Sequence, residues 1–241
     1  MKLHAVIAIA AAAATVALPA AALAQDRIGP GFGGARPRGP QGHDWRTTAE
    51  RTPEGGFRIG NPNARVKVVE YFSTTCPHCA TFAHESADVL IGDYVRSGRV
   101  SLEYRNYYLN GVDIAAALLS RCAQPRQYFE MSHALLGTQP QWMGRVNAIT
   151  PAQRTELQAL PPLEVARRLI SMLGLDAIGQ RYGITPQVRA QCLTQANLDQ
   201  LDALHSAGGT AGVTGTPTFF VNGRLVQENN WAGIQPLLRA Q

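Results

Sequence analysis

Val66 to Cys79 reads VKVVEYFSTTCPHC, an apolar run that ends in two cysteines three residues apart. Val66 to Phe72 is β-branched and aromatic, the composition of a buried strand, and Asn61-Pro62-Asn63 ahead of it marks a turn. Past Cys76 the period changes. Cys79, Phe82, Ala83, Ala87, Leu90, Ile91 and Tyr94 recur at three- and four-residue steps, which predicts a helix. Val100 to Tyr108 then alternates Val100, Leu102 and Tyr104, the pattern of a second strand. A strand–helix–strand unit of this kind strongly favours parallel pairing and a right-handed crossover.

The chemistry follows from where Cys76 falls. At a helix N-terminus the first N–H groups have no intrahelical partner, and the positive end of the dipole favours thiolate over thiol. Pro77 sets the first helical φ without wasting a donor, and His78 adds positive charge or a hydrogen bond. Cys79, one turn deeper, lies within disulfide reach of Cys76 and is the natural resolving thiol. If the Cys76 pKa falls by about three to four pH units, the reduced form gains about 4 to 5.5 kcal/mol that the disulfide lacks, which makes the pair an oxidant. An exposed, low-pKa Cys76 is also a good leaving group from a mixed disulfide. Zinc sites share the Cys-x-x-Cys spacing but usually bring a second pair, and Cys122 and Cys192 are isolated in the chain. Glu70 sits six residues before Cys76 and has two readings. It is an edge residue whose carboxylate reaches water, or a buried acid beside Cys79 that accepts or relays its proton.

Downstream, residues 112–208 have a helical texture: Ile114, Leu118 and Cys122 line one face, Phe129, His133 and Leu136 another, and Pro161-Pro162 opens a further helix. Thr218 to Val221 (TFFV) returns to strand. Asn222-Gly223 is a hairpin turn signal, and Trp231, Ile234 and Leu238 predict a last helix. The expected order is βαβ, a helical block, then ββα. His133, His205 and His84 read as core, boundary or surface residues, and Trp142, Trp231 and Tyr104 as core or groove lining.

Met1 to Ala24 carries one lysine, an apolar run and a small-x-small ending at Ala22-Leu23-Ala24, the parts of a secretory signal peptide; a retained anchor is the rival reading. Cleavage there would place the protein in the periplasm, where disulfides persist. Residues 25–51 are rich in Gly and Pro and read as a disordered linker, with order beginning near Thr52. The 241 residues, 45% apolar and 16% charged, exclude a wholly disordered or fibrous chain. The net charge of +5 comes without a basic stripe interleaved with aromatics, which argues against a nucleic-acid partner.

With these residues in place, the sequence resembles the thioredoxin superfamily, and within it the exported DsbA-like thiol–disulfide oxidoreductases. The resemblance rests on Glu70 to Cys79 and on Gly212-Val213-Thr214-Gly215-Thr216-Pro217-Thr218-Phe219, and it runs from about Asn61 to the C-terminus. It implies an α/β thioredoxin fold, residues 52–111 and 209–241, with an all-helical domain, 112–208, inserted between its halves. It implies that Pro217 is cis and faces the cysteine pair, and that Thr216 offers its backbone to an extended substrate segment; an ordinary strand-entry turn is the alternative. It also implies a second, buried structural disulfide, Cys122–Cys192, since several lineages of the family carry one, with two inert thiols as the alternative. The activity implied is donation of the Cys76–Cys79 disulfide to reduced, unfolded exported proteins. A membrane quinone-linked reoxidase of the DsbB kind is the implied partner, no cofactor is called for, and the chain is expected to be monomeric. Thr216 stands where some oxidases of the family have an aliphatic residue, so an isomerase or reductase kept reduced is the nearest rival. A Cu(I) or zinc site on Cys76, His78 and Cys79 is the rival from another class.

Overall fold

A computed structural model describes residues 42–239. The proposed signal peptide and most of the Gly/Pro-rich segment lie outside the described residues. The described chain is ordered earlier than the expectation of a linker up to residue 51. Trp45–Thr47 forms a single 3-10 turn, and β1 (Ala49–Arg51) pairs antiparallel with β2 (Phe57–Gly60). The alternation of Phe57 and Ile59 about Arg58 is too short to stand out in the sequence. In the fold both side chains are buried in the core, and the pairing is trimmed by the Arg51 guanidinium, 4.6 Å from the Phe57 ring centre, and by the Arg58–Glu50 ion pair. Trp45 occupies the space above Gly98, where a Cβ would come within 2.5 Å of the indole; Gly98 also has φ +77°, so only glycine fits on both counts.

β3 (Val66–Phe72) leads into α1 (Pro77–Val89), which widens into a π-helical turn at Leu90–Val95, so the predicted helix is interrupted rather than uniform. β4 (Val100–Asn106) then pairs parallel with β3, from Val66 opposite Val100 to Phe72 opposite Asn106. Eight helices follow: α2 (Gly111–Ser120), α3 (Pro125–Gly137), α4 (Gln139–Met143), α5 (Pro151–Gln158), α6 (Pro162–Met172), α7 (Leu175–Arg181), α8 (Pro186–Cys192) and α9 (Gln195–Thr210). Short polar side chains start several of them. Asn110, Thr150, Thr185 and Thr194 each accept from a backbone N–H three residues on. The chain closes with β5 (Thr218–Val221), β6 (Arg224–Leu225) and α10 (Trp231–Arg239). The β5–β6 turn is at Asn222-Gly223, with φ of 49° and 78°, as the dipeptide predicts.

The sheet order is β1-β2-β4-β3-β5-β6, which makes β3 central. Its alternate residues divide between two covered faces. Glu70 lies opposite Phe219 and Tyr104, and Phe219 packs against Phe82 of α1 at 4.4 Å, so this face is the α1 side. Tyr71 points the other way, toward Phe220, and meets α9 where Gly208 has no Cβ to collide with its ring. The α/β fold with a helical insert is therefore the architecture expected. The ends of α2 and α8 are joined by a Cys122–Cys192 disulfide with Cα atoms 5.6 Å apart; both cysteines are partly exposed rather than buried.

Candidate active site

Cys76 is the N-cap of α1, with φ −81° and ψ 121°, and Pro77 is the first helical residue. The cap carbonyl accepts from Ala80 N–H at 3.2 Å. Cys76 as a residue is 5% exposed, against the expectation of an open thiol, and the loop carrying Thr216 and Pro217 lies against its sulfur. The Thr216–Pro217 peptide is cis, and the Thr216 carbonyl accepts from the Cys76 thiol at 3.2 Å. Pro77 and His78 form the exposed rim.

The two sulfurs are electrostatically unlike. The Cys76 thiol is lowered from 9.0 to about 5, chiefly by the hydrogen bond from the Cys79 side chain, with further donors in the Thr216 hydroxyl and the Cys79 and His78 backbone N–H groups. The buried Thr216 hydroxyl makes no hydrogen bond of its own, which leaves its proton free to turn toward the thiolate. Burial pushes Cys79, which is 0% exposed, well above the ordinary thiol range, and the charges of Glu70 and Cys76 push the same way. At pH 7 these directions keep Cys76 mostly thiolate and leave Cys79 a thiol.

Glu70 is not an edge residue. It is 1% exposed on the central strand, and burial raises its carboxyl well above the usual range, with the Cys76 charge adding to the effect. Its Oε2 has no hydrogen-bond partner. A carboxyl so placed is held in its protonated form, close enough to Cys79 to act on that thiol electrostatically.

Three residues that the sequence reading passed over hold the loop from Ser73 to Cys76. Asp113, 1% exposed, accepts from Thr74 N–H at 2.9 Å, from the Thr74 hydroxyl and from Leu109 N–H at 3.0 Å. Asn110 Nδ2 donates to Thr75 Oγ1 at 3.0 Å. Gln139 Nε2 donates to the carbonyls of Thr74 and Cys76. Asn110 followed by Asp113 is legible as a helix start, but nothing local says that these side chains also reach a loop thirty-odd residues earlier. Other candidates behave as expected. His133 is bonded to the Tyr104 hydroxyl at 3.0 Å, His84 is exposed, and Trp142 is buried with its Nε1 donating to Leu135.

A groove of about 330 Å³ runs beside Thr216 and Pro217, walled by Gly212, Thr214, Leu225 and Val226. A larger cavity of about 470 Å³, lined by Arg46, Ile91, Phe129 and His133, contains neither cysteine. Among the described residues no three His, Cys, Asp or Glu side chains converge as a metal site. No described helix is long and apolar enough to cross a membrane.

A family model described as Thioredoxin matches residues 52–240. A chain of Rickettsia conorii, named provisionally as a protein-disulfide oxidoreductase, is 31% identical over 180 residues, covering 72% of this chain and 55% of that one. The chain spans between 55% and 61% of the length of the curated relatives it matches. A crystal structure from Novosphingobium aromaticivorans, described as a protein-disulfide isomerase, superposes with a TM-score of 0.69 at 29% identity, over 82% of this chain and 97% of that one. Wolbachia pipientis α-DsbA1 shares the fold at 19% identity, with a TM-score of 0.59 over 78% of this chain and 91% of that one. By its family match the chain is a member of the thioredoxin family, and it shares the fold of α-DsbA1.

Proposed function

We propose that this chain is an exported thiol–disulfide oxidase that passes the Cys76–Cys79 disulfide to reduced, unfolded proteins. The observation that carries the reading is the contrast between the sulfurs: Cys76 is held as an anion at about 5, and Cys79 beneath it is held as a thiol. A substrate thiolate attacks Cys76 Sγ, the Cys76–Cys79 bond breaks, and Cys79 leaves with the electron pair. Burial makes Cys79 basic, and it takes a proton from the Glu70 carboxyl. A second substrate thiolate then attacks the substrate sulfur of the mixed disulfide and expels Cys76, which stays anionic. The substrate has lost two electrons to the protein; of its two thiol protons one restores, through solvent, the proton that Glu70 gave to Cys79, and the other stays in solvent.

The cis-proline loop fits this cycle. While Cys76 is a thiol it occupies the Thr216 carbonyl, and as a thiolate or disulfide it leaves that carbonyl free for an N–H of an extended substrate segment lying along the adjacent groove. Pro217 and the rim residues Pro77 and His78 shape the approach. The reading includes action as a monomer in the periplasm and reoxidation by a membrane quinone-linked partner. The test is regain of activity by a reduced, denatured enzyme of known pairing. The unmutated protein should speed recovery and Cys76→Ser should not; equal recovery with both would overturn the mechanism.

An isomerase or reductase is the second reading, favoured by the polar Thr216 before the cis-proline and by the description of the Novosphingobium neighbour. Alkylation of the cysteines in intact cells separates the two. An oxidase is trapped mostly as the disulfide, and mostly free Cys76 and Cys79 would reverse the direction.

A further inference from the structure

We propose that Gln139, the first residue of α4, is a positioning residue that holds the Cys76 sulfur over the open end of α1 and thereby tunes the redox pair from the helical insert. Gln139 is 7% exposed, and its Nε2 donates to the Thr74 carbonyl at 2.8 Å and to the Cys76 carbonyl at 3.1 Å. An amide nitrogen has two hydrogens, so both are committed to this loop. The Cys76 carbonyl is the first of α1 and already accepts from Ala80 N–H. The second donor fixes the direction of that peptide plane and hence ψ of Cys76, which is 121°. With ψ set, the sulfur lies where the His78 and Cys79 N–H groups donate to it. Asp113 and Asn110 anchor Thr74 and Thr75, but of these three residues only Gln139 bonds Cys76 itself. Gln139 acts through the peptide plane.

The inference rests on the reading of Cys76 as the ionised sulfur, and the experiment keeps the two apart. The ultraviolet absorbance of the thiolate is titrated in the reduced full chain for the unmutated protein, Gln139→Ala and Gln139→Met; the second keeps the side-chain length without a donor. Trp142→Phe disturbs α4 without touching the loop and serves as the structural comparator. Weakening the aim of one or two N–H bonds should raise the Cys76 midpoint by about one pH unit, a roughly fivefold loss of thiolate at pH 5. Trp142→Phe should titrate like the unmutated protein even if its Tm falls. Gln139→Asn, whose amide is drawn back by one methylene, keeps the test open should the other two fail to fold. A Gln139 variant that loses Tm but titrates unchanged would overturn the proposal and leave the Cys76 reading standing. An ordinary thiol titration in the unmutated protein would overturn both.

Discussion

At the residue scale, a single carboxyl carries the sharpest consequence. Glu70 is buried on the central strand with an unpartnered oxygen, so its folded pKa is raised above the ordinary 4.5. The direction fixes the sign. Stability attached to a raised acid is complete below pH 4.5 and is lost as pH climbs toward the folded value. Glutamine cannot ionise and has no such loss. In the oxidised protein, Glu70→Gln should therefore match the unmutated protein in pH dependence below 4.5 and then gain on it, by at most about 1.4 kcal/mol per pH unit. Urea unfolding from pH 4 to 7 measures the gap; parallel curves would mean that the carboxylate is solvated. The same variant should slow the step in which Cys79 is released, because the nearest proton store is gone.

At the element scale, the insert is tied together by one covalent link, between the end of α2 and the last residue of α8. The Cys122–Cys192 bridge closes a sequence separation of 70, which the chain-entropy account converts to about 4 kcal/mol of stability. Replacing both cysteines by serine should lower the unfolding free energy by an amount of this order. It should leave the titration of Cys76 where it was, because the loop from Ser73 to Cys76 is held by Asp113, Asn110 and Gln139 and not by the bridge. Denaturation and thiolate absorbance on the double variant check both halves. A loss below about 1 kcal/mol would show that the bridge constrains little that is not already restrained in the unfolded chain.

At the scale of the whole molecule, the pair couples redox state to global stability. Cys76 falls from 9.0 unfolded to about 5 folded, so its contribution is fully present above pH 9 and is lost as pH drops through about 5. Cys79 is raised and stays a thiol in both states below pH 9, so it adds no slope there. The stability of the reduced protein relative to the oxidised one should thus rise between about pH 5 and pH 9, opposed in part by the effect of the thiolate on Glu70. Paired thermal or denaturant unfolding of the two redox forms reads this directly. A gap that does not change with pH would remove the physical basis for an oxidising couple.

Much of this was legible in the chain. VKVVEYF followed by CPHC, and TFFV with Asn222-Gly223 behind Thr216-Pro217, specify the two sheet halves because buried strands, helix starts and tight turns each demand particular residue types over short spans. Those demands are local, so they determine the strand–helix–strand unit, place Cys76 at a helix mouth and put Cys79 one turn below it. Two strands ahead of that unit escaped, since Ala49–Arg51 and Phe57–Gly60 are only three and four residues long, and the alternation of Phe57 and Ile59 is too brief to register as a period. The tertiary structure decided whether Glu70 meets water or stays dry, because burial depends on which strands flank β3. It also decided that Asp113 and Gln139 of the insert, with Asn110 just ahead of it, grip the active-site loop. A hydrogen bond between residues far apart in sequence depends on how the layers pack, and no local pattern encodes that distance.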